Sequence, residues 1–260
     1  TGDVALFTED KLTEYIKGIR INESLVNFLR SVNRIIAFSP HPDDAEVIAG
    51  GYLAMMTSKG ALVKVIVVSD GRMGIGSMEY TPDEVIAIRR REELEAMRIL
   101  GVHDVEFLNY VDSEVPEPEI LRRDFIRIIR GFKPDVVITV DPRLPYEAHP
   151  DHVNTGLAVM QAVLFHGIPR VLSEYRVESQ PPVLALGATV RPNALICIDD
   201  YVDRKMNALR AHKSQFSEEL LMNIELIHLK LGNAAGCKYA EAFKVLTPSE
   251  LHMNPLAEYP

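Results

Sequence analysis

Arg34-Ile35-Ile36-Ala37-Phe38-Ser39-Pro40-His41-Pro42-Asp43-Asp44-Ala45 is the stretch that decides the fold class. A short apolar run stops at a proline, and helix-forming residues then continue from Ala45 to Lys59, where Gly60 ends them. That order reads as strand, turn, helix. The unit repeats downstream. Leu62 to Ser69 (LVKVIVVS) predicts a second strand, a glycine-punctuated loop spans Asp70 to Tyr80, and Thr81-Pro82-Asp83-Glu84 opens a helix reaching Leu100. Thr81 is the cap, Pro82 suits the first helical position, and Glu84 completes a capping box. Val105 to Leu108 and Asp135 to Val140 predict the next strands, with helices over Glu119 to Gly131 and Val153 to His166.

Four strand–helix units in succession predict an α/β fold: a Rossmann-like, mostly parallel sheet with helices on both faces. The strands are nearly continuous in apolar residues, as a sheet buried on both sides requires. After Ser173 the pattern loosens into strands at Tyr175 to Val177 and Ala194 to Ile198, and helices near Asp200 to His212 and Glu218 to Leu231, a smaller C-terminal α+β extension. No linker interrupts the chain, so one domain over residues 1–260 is expected: a helical extension (1–33), a core (34–170) and the C-terminal part (171–260). At 260 residues, 47% of them hydrophobic, the chain can bury one large core.

A formal charge of −9 argues against a nucleic acid or an anionic membrane as partner. No apolar run approaches the roughly 20 residues needed to span a bilayer. The first ten residues carry acids and no basic segment, unlike a secretory signal. The sequon Asn22-Glu23-Ser24 would matter only in a secreted protein. Cys197 and Cys237 can form at most a single bridge; both read as packing residues, and a reducing cytoplasm is the easier fit.

The chemistry lies in two segments. His41-Pro42-Asp43-Asp44 follows the first strand and His149-Pro150-Asp151-His152 follows the fourth. In an open α/β sheet both loops emerge at the carboxyl ends of strands, where ligands bind. His-Pro-Asp is expected about 0.03 times by chance in a chain of this composition, and it occurs twice. Two imidazoles and one carboxylate suit Zn²⁺ with a fourth position open to water, so His41, Asp44 and His152 are the candidate ligands for one ion per subunit. Fe²⁺ and Co²⁺ fit the same donors. Asp43, beside a ligand yet facing elsewhere, is free to act as general base. His149 is placed to bind a developing oxyanion or protonate a leaving nitrogen. The plainer reading makes these segments helix starts, with Asp43 and Asp151 as caps. Arg72 and Met73 lie in the loop after the second strand near the same crevice, and Asp141 and Tyr146 in the loop before His149 shape its wall or order the loop. His103, His166, His212 and His228 have no partner at ligand spacing and read as ordinary histidines.

His41-Pro42-Asp43-Asp44, the helix with Gly50-Gly51, Ser69-Asp70-Gly71 and His149-Pro150-Asp151-His152 together resemble the zinc-dependent N-acetylglucosaminyl deacetylases of the LmbE/PIG-L family, over about Ile35 to His166. SPHPDDAEVIAGGYLA, SDGRMG, DSEVPEP and VDPRLPYEAHPDHVNTG are especially similar to archaeal members acting on diacetylchitobiose, which points to chitin breakdown. The resemblance implies zinc on His41, Asp44 and His152, Asp43 as base and His149 in transition-state stabilisation. It further implies that Arg89 and Asp112 lie near the sugar, and that the chain forms a homo-oligomer, with a hexamer as the candidate order. The apolar tail around His252 could then bring that histidine to a neighbour's crevice.

Other functions fare less well. A glycosidase needs a carboxylate pair flanking the scissile bond, and none is marked. The glycines at 71, 74 and 76 miss the dinucleotide fingerprint, since Glu79 stands where its third glycine belongs. A non-catalytic sugar-binding protein would not need Asp43 and His149. An amidase of another N-acetylglucosamine conjugate remains the rival.

Overall fold

The computed structural model describes residues 9–259. Two helices, α1 (Glu9–Lys17) and α2 (Glu23–Ser31), precede the sheet. Asn22 of the sequon caps α2, its side chain accepting from the Ser24 and Leu25 amides. Then come β1 (Arg34–Ser39), α3 (Asp44–Ser58), β2 (Leu62–Ser69), α4 (Pro82–Leu100), β3 (Asp104–Tyr110), α5 (Pro118–Phe132), β4 (Val136–Val140) and α6 (Pro150–His166). The C-terminal part adds β5 (Val183–Gly187), β6 (Ala194–Cys197), α7 (Val202–Ala211), α8 (Glu218–Ala235), β7 (Ala240–Leu246) and a short 3₁₀ turn at Pro248–Leu251. The sheet order is β3-β2-β1-β4-β5-β7-β6. The first five are parallel, and β7 pairs antiparallel with both β5 and β6. The order reverses between β1 and β4, whose carboxyl ends border the crevice where open sheets bind ligands.

Successive residues of β1 feed opposite cores. Ile35 and Ala37 pack with Tyr52, Leu53, Met97 and Leu209 on one face, while Ile36 and Phe38 pack with Phe125, Ile126 and Val159 on the other. This two-sided burial produces the continuous apolar strands. The capping box forms as expected at Thr81 and Glu84, and Gly101 closes α4 in the left-handed conformation. Helix α3 is buried on nearly every side. A Cβ at Gly51 would lie 2.6 Å from Ile198 Cδ1, so glycine is needed there for close packing.

Beneath α3, Glu241 of β7 accepts from the Gly51 and Tyr52 amides at 2.8 and 2.7 Å and pairs with Lys205 Nζ of α7 at 2.6 Å. Both charged side chains are fully buried. Lys205→Met should therefore cost about 3–5 kcal/mol in urea unfolding, because it strands a buried carboxylate. Adding Glu241→Leu removes the stranded charge and should recover part of the loss.

Three expectations are corrected. Tyr175 to Val177 is not a strand. Arg130 instead donates to the carbonyls of Phe165, His166, Ile168, Val171, Leu172 and Tyr175, satisfying this irregular backbone without a sheet partner. The sheet continues through β5 and β7, which the sequence reading passed over. Cys197 and Cys237 are not merely packed: they form a disulfide, with Cα atoms 6.1 Å apart.

Candidate active site

The β1–α3 turn is built by short-range hydrogen bonds. Ser39 Oγ donates to His41 O at 2.6 Å and accepts from the Ala45 amide at 3.0 Å, while the His41 amide donates to Asp44 Oδ2 at 2.8 Å. Asp43 is forced to φ 121°, a costly conformation for a residue with a side chain. Its carboxylate makes no cap bond, so the helix-cap reading fails here. Oδ2 instead accepts from Arg89 Nη2 at 2.8 Å. The same guanidinium donates to Pro42 O at 2.5 Å and Gly71 O at 3.3 Å. A Cβ at Gly74 would come within 2.4 Å of Arg89 Nη1, so this loop must carry glycine to close over the arginine.

From β4, the loop before α6 brings His149 and His152 to this turn. His41 Nδ1 lies 3.2 Å from Asp44 Oδ2 and 3.2 Å from His152 Nε2, and His152 Nε2 lies 3.3 Å from Asp44 Oδ2. Three donors at nearly equal separations define one face of a tetrahedron whose centre is about 2 Å from each, the reach of Zn²⁺ ligands. A second grouping shares His41 and adds Asp112, His149 and Asp151. Asp151 is already committed: Oδ2 accepts from His41 Nε2 at 3.0 Å and the Ser113 amide at 2.8 Å, and Oδ1 from the Val115 amide at 3.2 Å. Asp112 Oδ1 also lies 3.3 Å from His41 Nε2. Both acids thus hold the proton on Nε2 and turn the Nδ1 lone pair toward Asp44 and His152, as carboxylates behind metal-binding histidines do. Glu147 serves His152 alike, with Oε2 3.2 Å from Nδ1 while Oε1 accepts from the His149 amide. The donor set therefore fits a divalent cation on the Nδ1 side.

Electrostatics agree. Burial disfavours a charged His41, yet hydrogen bonds to Asp112, Asp151 and Asp44 outweigh it and push His41 up to about 12. Burial raises Asp44, but its bonds to His152 and His41 hold it well below the usual carboxylate range. The pocket demands positive charge, which a proton or a metal ion can supply. Burial foremost, with the neighbouring Asp44 charge, lifts Asp43 to about 7 against the pull of Arg89. Burial and the neighbouring His41 lower His149, which favours its neutral form. Its Nδ1 accepts from the Asp151 amide, which leaves Nε2 carrying the hydrogen.

His41, Asp43, His149 and His152 line one open cleft of about 220 Å³ with Met73, Gly74, Arg89, Asp112 and Gln215. Among the expected substrate residues, Met73, Arg89 and Asp112 are thus in the cleft, although Arg89 is tied to Asp43 and Asp112 to His41. Arg72 is turned to Asp70, at 2.7 Å. Asp141 accepts from the Arg143 amide and lines a different cavity with Lys244 and Glu250. Tyr146 is fully exposed, and His252 is exposed on the C-terminal segment. His212 is a core histidine, buried 2.6 Å from Glu46 Oε1 and 3.7 Å from Glu93 Oε2. Asp151, Glu147 and Gln215 were missed as site residues. The carboxylate between the two histidines of the second segment was the signal for Asp151. Asp151→Asn should weaken Zn²⁺ binding about 10–100-fold by titration calorimetry, with the fold retained.

The profile of the family described as PIG-L, GlcNAc-PI de-N-acetylase, matches residues 36–163. A diacetylchitobiose deacetylase of Thermococcus kodakarensis is 32% identical over 246 residues, covering 92% of this chain and 91% of the relative. An N,N'-diacetylchitobiose deacetylase from Pyrococcus horikoshii, solved with its inhibitor MPG, superposes with TM-score 0.83 at 30% identity, over 97% of this chain and 98% of that one. A mycothiol S-conjugate amidase of Streptomyces coelicolor is 31% identical over 174 residues, 57% of this chain and 58% of the relative.

Proposed function

The chain belongs to the PIG-L/LmbE family of amino-sugar deacetylases, and from that premise we propose that it removes an N-acetyl group from diacetylchitobiose with a bound Zn²⁺, releasing acetate. The observation that carries the reading is the equal spacing of His41, Asp44 and His152 beside an unligated Asp43. When bound, the ion supplies Lewis-acid polarisation of the acetyl carbonyl and acidifies water. Asp43, aimed by Arg89 through Oδ2, takes the proton of the attacking water at its other oxygen. His149 Nε2–H faces the carbonyl oxygen as charge develops there, and a proton must then reach the sugar nitrogen as the C–N bond breaks. Asp151 and Glu147 hold the two ligand histidines in register.

Acetate release from diacetylchitobiose, measured with and without chelator, tests the reading; no chelator-sensitive release would overturn it. The rival reading is supported by relatives named for other N-acetylglucosamine conjugates, among them the Streptomyces coelicolor amidase and a probable N-acetyl-alpha-D-glucosaminyl L-malate deacetylase of Bacillus cereus, 30% identical over 76% of this chain. It would show as preference for another N-acetylglucosamine conjugate.

The whole chain is read as one catalytic unit, since β7 joins the C-terminal part to the sheet that carries the site. Self-association, with a hexamer as the proposed order, is supported by Met253, Leu256 and Tyr259, exposed apolar residues flanking His252 on the C-terminal segment. In such an assembly His252 would complete a neighbour's cleft. Among the described residues no helix is long and apolar enough to cross a membrane. The proposed cytoplasmic location must accommodate the Cys197–Cys237 bridge, which is unusual in a reducing compartment outside hyperthermophiles.

A further inference from the structure

The turn between α7 and α8 reaches into the cleft through Gln215, which neither the sequence motifs nor the mechanism uses. The turn is anchored at both ends of its reach. His212 meets Glu46 of α3 at 2.6 Å, and the Ser214 amide and hydroxyl donate to Glu92 of α4 at 3.0 and 2.6 Å. These bonds fix the orientation of the glutamine amide. Ser214 gives its only hydroxyl hydrogen to Glu92, so its oxygen can only accept, and Gln215 Nε2 donates to it at 2.9 Å. The second hydrogen on Nε2 goes to the Gly74 carbonyl at 3.0 Å. Both neighbours are acceptors, so a flipped amide would set oxygen against oxygen. Oε1 is left as a neutral acceptor in a cleft where Arg89 is bound to Asp43, Asp112 to His41 and the Met73 amide, and His41 and His152 to carboxylates, while Asp43 Oδ1 and His149 Nε2 are the atoms assigned above to the reacting group.

We propose that Gln215 is a specificity residue whose Oε1 accepts a hydrogen bond from a ring hydroxyl of the amino sugar being deacetylated. The assignment rests on the deacetylase reading above. A fixed neutral acceptor suits a sugar hydroxyl, because its hydrogens are already spent and no rotation has to be frozen on binding. It lines the same cleft as His149 and is held there by the Gly74 carbonyl.

The test compares diacetylchitobiose with three analogues lacking the hydroxyl at carbon 3, 4 or 6 of the non-reducing sugar. For the wild type, one analogue should lose roughly 3- to 10-fold in kcat/KM, mainly through KM. Gln215→Leu should lose about the same on the parent sugar and no longer distinguish that analogue from it. A uniform loss on all four sugars, or wild-type discrimination persisting in Gln215→Leu, would reduce Gln215 to a tie between loops and overturn the assignment. If the wild type released no acetate from the parent sugar, the functional reading would fail and take this assignment with it; acetate release with unchanged discrimination would sink the assignment alone.

Discussion

Asp43→Asn is expected to lower kcat by about 10²- to 10⁴-fold, the usual worth of a positioned general base, while metal content stays at one ion per chain. The amide preserves the shape of the carboxylate and can still accept from Arg89, so the β1–α3 turn should keep its geometry; what disappears is the ability to take a proton. The pH profile gives a second readout. Burial and the Asp44 charge lift Asp43 to about 7, and a base works only when deprotonated, so activity should fall as pH drops through the Asp43 pKa. A cation on the neighbouring ligands stabilises the carboxylate form and moves that limb to or below 7. Asp43→Asn should abolish the limb along with most of the rate. An unchanged kcat, or a variant that keeps the wild-type limb, would remove Asp43 from the chemistry.

Stripping the ion should have the second large effect. At a metal concentration about 100 times Kd, binding contributes about 2.7 kcal/mol to stability. For a chain of this size that corresponds to a Tm lower by roughly 5–10 °C after chelation, restored by Zn²⁺ or Co²⁺. Acetate release should fall by at least about 10³-fold, the equivalent of several kcal/mol of lost charge stabilisation. His152→Ala should already sit at the lower Tm and show no further response to chelator. A wild-type Tm indifferent to chelator would mean that the three residues hold no ion.

Strands β1 to β4 were legible because they are apolar runs closed by a proline, a glycine or a capped helix, and burial in the sheet writes that pattern directly into sequence. β6 was read at Ala194 to Ile198, but β5 and β7 were not. β7 (AEAFKVL) carries Glu241 and Lys244 on buried positions, where Glu241 is answered by Lys205 and two α3 amides, contacts that no local pattern announces. The false strand at Tyr175 has the complementary cause: its backbone is satisfied by Arg130, more than forty residues upstream.

At the site, His41, Asp43, Asp44, His149 and His152 could be picked out because two loops repeat an improbable tripeptide. The orienting partners could not be assigned so readily. Asp151 was visible but read as a cap, since its bonds to His41 and to the Ser113 and Val115 amides depend on how β3 ends. Gln215 and His212 come from a turn some sixty residues beyond the motifs, and only packing against α3 and α4 brings them in. Arg89 was placed near the sugar; it lines the cleft, and its tie to Asp43 is a contact the sequence did not announce.

The most direct test is anomalous diffraction at the zinc edge on crystals grown with Zn²⁺. The expected result is one peak about 2.0–2.2 Å from His41 Nδ1, Asp44 and His152 Nε2, with Asp43 outside bonding distance. A peak on the opposite side of the ring, bound through His41 Nε2 by Asp112 and Asp151, would contradict the assignment of both the ligands and the base.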